Sequence, residues 1–269
     1  MMGLGVKTGS ELPRIVLVFL AGLFVTLPLA ATLYINSGDA SAGFEAANKL
    51  YEEGKFPEAA AAYGKLIDSG VVSAAVYFNQ GNAFFRMSQI GRAIVAYHRA
   101  ERLAPRDREL RANLQIARTK ARGGVIYSPP KLQILLGVLT LNEWALLTAA
   151  GVWGLFIFLA LVQWRIDLRP MLHKYAAASG VVAVIAGICL VAKLNTDYFA
   201  QTAVVVVGEA EIRNGPLDES VELFKVRDGA ELEILDRKEG WLQVADAAQR
   251  AGWVRLNQVV DLNSAKAAK

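Results

Sequence analysis

The sequence predicts a multidomain protein with a helical-repeat region, an α-helical transmembrane hairpin and a small all-β domain, in that order. Residues 43–105 repeat at a spacing of 34 residues. Two later runs are apolar over lengths that span a bilayer. After residue 202, β-forming residues alternate with turns. With 269 residues and 54% hydrophobic content, the chain is long enough for several small domains and unusually apolar for a soluble protein.

The first 42 residues predict either a cleaved signal peptide or a first transmembrane helix. Residues 15–35 are 21 residues without a charge, preceded by Lys7 and Arg14. The small residues 40–42 would suit cleavage, whereas the length of the apolar run favours retention. Both alternatives stay open, and either delivers the following region to the far side of the membrane.

The 34-residue repeat predicts pairs of antiparallel helices. Ala59 recurs as Ala93, and Tyr63 recurs as Tyr97. Small residues in the second copy, such as Gly81, would let two helices approach closely. The full pattern of that copy is Tyr77, Gly81, Phe84, Ala93, Tyr97, Ala100 and Pro105. It resembles the tetratricopeptide (TPR) repeat, a protein-binding scaffold, and implies an all-α TPR domain over residues 43–122.

Two repeats bury little apolar surface, so we predict a fifth helix over residues 106–122 that caps the second repeat. Its apolar stripe consists of Leu110, Leu114, Ala117 and Ala121. The opposite stripe consists of Arg108, Arg111, Gln115, Arg118 and Arg122. This second stripe is either a solvated face or a surface for anionic lipid or an acidic partner.

The TPR resemblance implies a ligand groove lined by the first helix of each pair. In this register the groove residues are Phe44, Asn48, Tyr51, Glu52, Phe78, Asn82, Phe85 and Arg86. Asn48 and Asn82 are equivalent positions, and paired amides of this kind are suited to the main chain of an extended peptide. The groove lacks lysines that would hold a terminal carboxylate. We therefore predict an extended or helical peptide from a partner protein as its ligand.

Residues 123–143 predict a linker rich in glycine and proline, followed by a short interfacial segment. Residues 144–164 and 172–194 predict two transmembrane helices joined by a loop at residues 165–171. Trp144 and Trp164 stand at the two ends of the first span, where an aromatic belt would place them. Small residues of the second span form a surface for another helix, or face lipid.

The positive-inside rule places the loop between the spans in the cytoplasm, because Arg165, Arg169 and Lys174 lie in or beside it. Basic residues also precede the first span, but folded exported regions weigh less in this rule than short loops do. The expected protein is thus a multi-pass protein of the bacterial inner membrane. Its repeats and its C-terminal domain both face the periplasm.

Residues 202–262 predict a small β-barrel with five short strands. The predicted strands cover 203–207, 211–216, 230–235, 240–244 and 252–254. The order and spacing of Arg213-Asn214-Gly215-Pro216, Gly229, Gly240-Trp241 and Gly252-Trp253-Val254 resemble the bacterial SH3-like domain. That resemblance implies binding of peptidoglycan or of a partner protein. Arg213, Trp241 and Trp253 are its candidate surface residues, although at least one tryptophan is expected in the core.

The two domains outside the membrane are expected to carry opposite charge. Residues 43–122 contain 13 Lys and Arg against 8 Asp and Glu, whereas residues 202–262 contain 7 against 12. This asymmetry suits mutual contact or different partners, although solvation of each domain produces it as well. The acidic balance of the C-terminal domain disfavours anionic polymers as ligands.

The sequence predicts no enzyme and no cofactor. It contains no phosphate-binding glycine loop, no nucleophile beside a base and no His/Cys/Asp metal set. The single cysteine, Cys189, lies in an apolar run, which excludes a disulfide framework. His98 is expected on the solvated side of a repeat helix. No nucleic-acid partner is expected.

The order of export segment, two TPR units, membrane hairpin and SH3-like barrel resembles the BatE-type proteins of the bacterial aerotolerance (Bat) operon. The resemblance implies a membrane-bound adaptor in an envelope stress complex. Its implied partners are von Willebrand A-domain membrane proteins of the same operon, and members of the family also occur beside a MoxR-type AAA ATPase. The alternative is a cell-wall tether whose SH3-like domain binds peptidoglycan.

Overall fold

The computed structural model describes residues 37–125, 131–164, 166–196 and 201–263. The expected signal peptide or first transmembrane helix therefore lies outside the described residues, apart from its last six positions. The chain divides into two compact units, Met1–Ser37 and Gly38–Lys269. The helical region, the apolar hairpin and the β-domain all belong to the second unit.

Five helices form the N-terminal part of this unit. They are α1 (Ser37–Glu52), α2 (Phe56–Asp68), α3 (Ala74–Arg86), α4 (Ile90–Leu103) and α5 (Arg108–Ala121). Helices α2 and α4 begin 34 positions apart, so the helix pairs follow the repeat of the sequence. A Cβ at Gly81 of α3 would stand 2.6 Å from Cε1 of Tyr97 in α4. The absence of a side chain at Gly81 therefore sets the close approach of these two helices.

Helix α5 follows α4 and is capped by Asp107, whose Oδ1 accepts a hydrogen bond of 3.1 Å from the Leu110 amide. Leu110, Leu114 and Ala117 are buried in one cluster with residues of α4. This is the apolar stripe expected from the spacing of the sequence.

Two further helices form an antiparallel hairpin. After the short helix α6 (Lys131–Leu136) come α7 (Leu141–Trp164), a 3₁₀ turn (Ile166–Leu168) and α8 (Arg169–Leu194). Both α7 and α8 begin three residues before the predicted spans. Both are long and apolar enough to cross a membrane, with mean hydropathies of 2.3 and 2.2 over their most apolar windows.

Small residues bring the two apolar helices together. A Cβ at Gly151 of α7 would lie 2.8 Å from the backbone nitrogen of Ala183 in α8. Further along the hairpin, the rings of Phe158 and Tyr175 stack with centroids 5.6 Å apart. Ala176, Ala183 and Ala186 are among the buried residues of α8. The small-residue surface of the second span thus packs on α7 of the same chain.

Seven antiparallel strands form the described part of the C-terminal domain, in the order β3-β2-β6-β5-β4-β1-β7. They are β1 (Thr202–Val205), β2 (Glu209–Arg213), β3 (Glu222–Arg227), β4 (Glu231–Lys238), β5 (Trp241–Ala245), β6 (Ala251–Arg255) and β7 (Val259–Asp261). All seven contribute side chains to one apolar core, so the sheet must curve around it.

The expectation of five strands was wrong, because β3 and β7 were missed. Both are edge strands of the sheet. Only Val226 of β3 is buried, so that strand lacks a clear alternation of polar and apolar residues. Strand β7 has only three residues and follows a 3₁₀ turn at Leu256–Gln258.

The β-domain packs against α4 and α5. Val204 of β1 is fully buried in the same cluster as Ile94 of α4 and Leu114 of α5. Gly229, which follows β3 with φ +82°, comes so close that a Cβ there would stand 2.8 Å from Cβ of Ala121. The helical region and the β-domain therefore share one apolar core.

The β-domain also caps helix α4. The N-cap residue Gln89 makes no side-chain capping bond. Instead the carboxylate of Asp228 accepts hydrogen bonds from the amides of Ile90 (2.7 Å) and Gly91 (3.0 Å). Burial raises the pKa of Asp228, although the two amides oppose this effect. A Cβ at Gly91 would lie only 1.9 Å from the carbonyl oxygen of Val205, so the contact requires glycine there.

A charged cluster completes this interface. Arg118 of α5 donates to Glu231 of β4 at 2.8 Å, and Nε2 of His98 in α4 lies 3.0 Å from the same carboxylate oxygen. The expectation that His98 is solvated was wrong, since its side chain is only 19% exposed. Likewise Arg118, expected on the outer stripe of α5, faces the β-domain. The opposite charges of the helical region and the β-domain thus meet in direct contact at this cluster.

Candidate binding groove

Helices α1, α3 and α5 line a groove on the helical region. It consists of two adjoining pockets that share Tyr51 and Asn82. The first pocket is lined by Asn48, Tyr51, Glu52, Tyr63, Asn79 and Asn82. The second is lined by Tyr51, Asn82, Phe85, Arg86, Tyr97, Glu109, Asn113 and Ile116. Six of the eight groove residues named from the sequence thus come together here.

The wall of the groove carries two copies of one hydrogen-bonded motif. In the first copy, Oδ1 of Asn48 accepts from the hydroxyl of Tyr63 (2.7 Å) and from Nδ2 of Asn79 (3.0 Å). In the second, Oδ1 of Asn82 accepts from Tyr97 (2.7 Å) and from Asn113 (3.1 Å). Each residue of the second copy lies 34 positions after its counterpart. The repeat therefore preserves a polar network as well as the packing.

In these networks the amide nitrogens of Asn48 and Asn82 remain able to donate hydrogen bonds to a ligand. Both carbonyl oxygens already accept two bonds. Within the described part of the chain, neither Nδ2 group donates to any acceptor, and both residues line the groove. A side-chain amide carries two N–H donors. The groove thus presents two equivalent donor groups that suit the carbonyl oxygens of a polypeptide.

Tyr63 and Tyr97 hold these asparagines in place. Burial raises the pKa of Tyr63 to about 12 and shifts the pKa of Tyr97 in the same direction. Both hydroxyls are protonated donors at neutral pH, and the shift extends this state to more alkaline pH. Because each donates to an asparagine oxygen, each amide group is oriented with its nitrogen away from the tyrosine.

Phe44 and Phe78, also named from the sequence, do not line either pocket. Their rings pack on the buried tyrosines, with centroid distances of 6.1 Å between Phe44 and Tyr63 and 6.0 Å between Phe78 and Tyr97. Their position supports the hydrogen-bonded networks from behind.

Sequence reasoning missed Asn79 and Asn113 as groove residues. The signal was present, because the two asparagines stand 34 positions apart in the same register as the rest of the repeat. The groove was expected to be lined by the first helix of each pair at other positions of α3, and α5 was expected to act as a cap with an arginine stripe rather than as part of the groove. In the structure α5 also supplies Glu109, Asn113 and Ile116 to the groove, and the side chain of Ile116 is 54% exposed.

Charged groups of both signs surround the groove. Glu52 lines the first pocket, and Arg86 and Glu109 line the second. The guanidinium of Arg86 lies 4.5 Å from the ring centroid of Phe56, which fixes its direction. This mixture favours a ligand recognised mainly by its main chain and apolar side chains.

The three candidate surface residues of the β-domain differ in their contacts and in their exposure to solvent. The guanidinium of Arg213 donates to the carbonyl oxygens of Asp218 (2.6 Å) and Ser220 (2.9 Å), so it braces the loop before β3. Trp253 is only 8% exposed. Trp241 is half-buried, with the Arg255 guanidinium 5.5 Å from its ring.

Both tryptophans nevertheless lie on the outer face of the sheet. Gln243 pairs with Trp253, and Trp241 pairs with Arg255. The intervening Val254 is fully buried in the core, so its neighbour Trp253 points outward. This face of β5 and β6 is therefore aromatic, but Trp241 is the more accessible of the two rings.

Comparison with known families identifies this domain. Residues 206–260 match the family model of the bacterial SH3 domain. The match begins after β1 and ends in β7. An SH3 domain of this type is consistent with binding to protein or peptidoglycan and with a location in the cell envelope. No curated protein matches the chain.

The SH3 domain brings no metal-binding cluster of its own. Over the described ranges, no three His, Cys, Asp or Glu side chains are grouped so that they could hold a metal ion. His98, on α4 at the interface with this domain, forms a hydrogen bond with the carboxylate of Glu231.

Proposed function

We propose that the protein is a non-catalytic, membrane-anchored adaptor that binds a partner protein in the groove of α1, α3 and α5. The observation that carries the proposal is the pair of amide groups on Asn48 and Asn82, oriented by buried tyrosines and facing the groove. The 34-residue period of both the helices and the polar networks supports assignment of this region to the TPR repeats. TPR-type grooves bind peptide segments of other proteins.

Membrane anchoring is proposed through α7 and α8. Because these helices are antiparallel, the chain would enter and leave the bilayer on one side. The helical region precedes the hairpin, the SH3 domain follows it, and the two share a core. That arrangement requires both domains on the same side, which agrees with the periplasmic placement inferred from Arg169 and Lys174. We therefore assign the protein to the inner membrane as a multi-pass protein.

The proposed setting is an envelope complex of the aerotolerance type. The order of domains supports a BatE-type protein, whose expected partners are von Willebrand A-domain membrane proteins. The SH3 domain would then serve as a second protein-binding module, in addition to its structural role against α4 and α5.

The groove can be tested with a substitution that preserves the fold. In Asn48→Asp combined with Asn82→Asp, the oxygens that accept from the tyrosines and from Asn79 and Asn113 remain, whereas the amide donors disappear. We expect recovery of von Willebrand A-domain proteins after crosslinking in the native host to fall about tenfold or more, because each lost donor costs roughly 1 kcal/mol or more. The exposed Asn257, changed to Asp, is the control.

The adaptor proposal fails if the unmodified protein, crosslinked in its native host and extracted in detergent, carries no von Willebrand-type partner. The assignment of the groove as the binding site fails if the double substitution and Asn257→Asp leave equal amounts of partner attached.

A cell-wall tether is the second candidate, and the bacterial SH3 match favours it. The outer face around Trp241 and the exposed side chains of Leu217 and Val221, 63% and 72% accessible, would meet the polymer. The full chain should be used, because separating the SH3 domain would expose Val204. Retention of the protein on purified peptidoglycan at physiological salt, and its loss in Trp241→Ala, would support the tether. No retention would exclude it.

A further inference from the structure

The corner between α4 and α5 lies directly beside the start of α7. Nη2 of Arg106, in the loop between the two helices, donates to Oε2 of Glu143 at 2.6 Å. Glu143 is itself fixed by a capping box, since it accepts from the Thr140 amide (2.9 Å) while its own amide donates to the Thr140 hydroxyl (3.3 Å). The next residue, Trp144, begins the charge-free run. The corner is therefore tied to the point where α7 would enter the bilayer.

Two arginines at this corner have no acidic partner. Arg108 and Arg111 are both exposed, and no carboxylate of the described residues contacts either guanidinium. Arg111 donates to the carbonyl oxygens of Arg106 and Asp107 at 3.4 Å, which keeps its charge at the corner. Of the nearby carboxylates, Asp107 caps α5 and Glu109 lines the groove.

Exposed apolar side chains lie on the short helix α6 and in the turn that joins it to α7. Leu132, Ile134, Leu135 and Val138 are 57–64% exposed. Their segment is bound to the start of the apolar helix, because Nε1 of Trp144 donates to the carbonyl oxygen of Leu136 at 3.2 Å. Exposed apolar groups next to a membrane span, accompanied by cationic side chains, are typical of segments that lie in the bilayer interface.

We propose that this corner and α6 form a lipid-binding surface, in which Arg108 and Arg111 bind the phosphate groups of anionic phospholipids and α6 enters the adjoining leaflet. The proposal rests on the proposed membrane anchoring. Arg108 is the first residue of α5, and Arg111 lies about 5 Å further along the helix axis at 1.5 Å per residue. Both arginines therefore lie on the first turn of α5, next to the corner that Arg106 joins to Glu143.

The surface has a consequence for the groove. Helix α5 contributes Glu109, Asn113 and Ile116 to the groove wall, and its first turn would rest on the membrane. The groove would then open beside the bilayer, where it meets segments of partners embedded in the same membrane.

The test uses the full chain in lipid nanodiscs. Cys189 is the only cysteine, so Cys189→Ser gives a background for single labels. A fluorophore at Ala112→Cys stands one turn from Arg108, and the same label at Ala61→Cys on α2 is the control. Both alanines are exposed. Discs contain phosphatidylglycerol with phosphatidylcholine, or phosphatidylcholine alone, plus a nitroxide-headgroup lipid that quenches fluorophores at the surface.

We expect quenching at position 112 but not at position 61, and stronger quenching in the discs that contain phosphatidylglycerol. Arg108→Gln with Arg111→Gln should lower the ratio of quenched to unquenched populations by about fivefold for each arginine. Lys49→Gln with Lys65→Gln, which removes the same charge from exposed positions on α1 and α2, should leave the ratio unchanged.

Equal quenching at positions 112 and 61 would overturn the proposal, as would quenching at 112 that ignores both phosphatidylglycerol and the arginine substitutions. A chain that stays in the discs without quenching at 112 contradicts this surface alone. A chain that does not enter the discs contradicts the membrane anchoring as well.

Discussion

At the scale of single residues, Glu231 links the SH3 domain to the helical region by charge. Its side chain is only 15% exposed, between Arg118 and His98. Burial by itself would raise the pKa of Glu231, but the hydrogen bond from His98 and the charge of Arg118 outweigh it and lower the pKa to about 2. Ionised Glu231 is therefore stabilised in the folded protein.

This shift predicts a loss of stability in acid. The ordinary pKa of Glu231 is 4.5 and its folded value is about 2. The stabilisation is thus complete above pH 4.5 and is lost as pH falls towards 2. Its upper size is about 3 kcal/mol, at 1.36 kcal/mol for each pKa unit. Denaturant unfolding of the full chain should show this extra loss between pH 5 and pH 3.

The matched variants are Glu231→Gln and Glu233→Gln, the second at an exposed position on the same strand. Glu231→Gln should be less stable at pH 7 and should lose less on acidification than the unmodified chain. Glu233→Gln should behave like the unmodified chain. Equal pH dependence in all three would show that Glu231 is not responsible.

At the scale of elements, helix α4 depends on a strand-turn element far along the chain for its cap. The Asp228 carboxylate binds the Ile90 amide across 138 sequence positions. The same contact excludes any side chain at Gly91, because a Cβ there would meet the carbonyl oxygen of Val205 at 1.9 Å. Helix and sheet are thus docked backbone to backbone.

This docking predicts different effects for two similar substitutions. Gly91→Ala should destabilise the chain by roughly 1–3 kcal/mol, because backbone atoms must move to admit the new methyl group. Gly64→Ala, where the nearest atom is the flexible Nε2 of Gln80 at 3.5 Å, should be neutral or stabilise by up to about 1 kcal/mol through helix propensity. Hydrogen exchange at the Ile90 amide should rise only in Gly91→Ala.

Unchanged exchange at Ile90 in Gly91→Ala, with unchanged stability, would contradict the docked arrangement. Retained global stability with faster exchange at Ile90 would instead show that the SH3 domain can detach while each domain stays folded.

At the scale of the whole molecule, the shared core joins the two domains that flank the apolar hairpin of α7 and α8. Val204 of the SH3 domain and Ile94 of the helical region are both fully buried in one cluster. Two domains joined in this way cannot lie on opposite sides of a bilayer. Any membrane topology of α7 and α8 must therefore place them together.

The topology yields a prediction for fusion proteins. An alkaline phosphatase, which is active only outside the cytoplasm, should be active when fused after Lys269 and inactive when fused at Asp167 in the turn between α7 and α8. The positively charged residues Arg169 and Lys174, which follow that turn, would hold it in the cytoplasm. The reverse pattern of activity would overturn the orientation, and two active fusions would contradict the spanning hairpin.

Local patterns determined much of this protein from its sequence. The 34-residue period predicted the helix pairs, the apolar stripe of α5 predicted its buried face, and two uncharged runs predicted α7 and α8. The glycine and tryptophan spacing indicated the SH3 domain. These features are readable because burial within one element imposes a period on neighbouring residues.

Only the tertiary structure decided how these parts meet. Asp228 and Glu231 are ordinary acidic residues of a β-domain in the sequence, and nothing local shows that one caps α4 and the other binds Arg118. Strand β3 was missed because only Val226 of this edge strand is buried, so no alternation shows, and β7 because its three residues are too few to show a period. Contacts between distant residues depend on the relative position of whole elements, and that position follows from the packing of the entire chain.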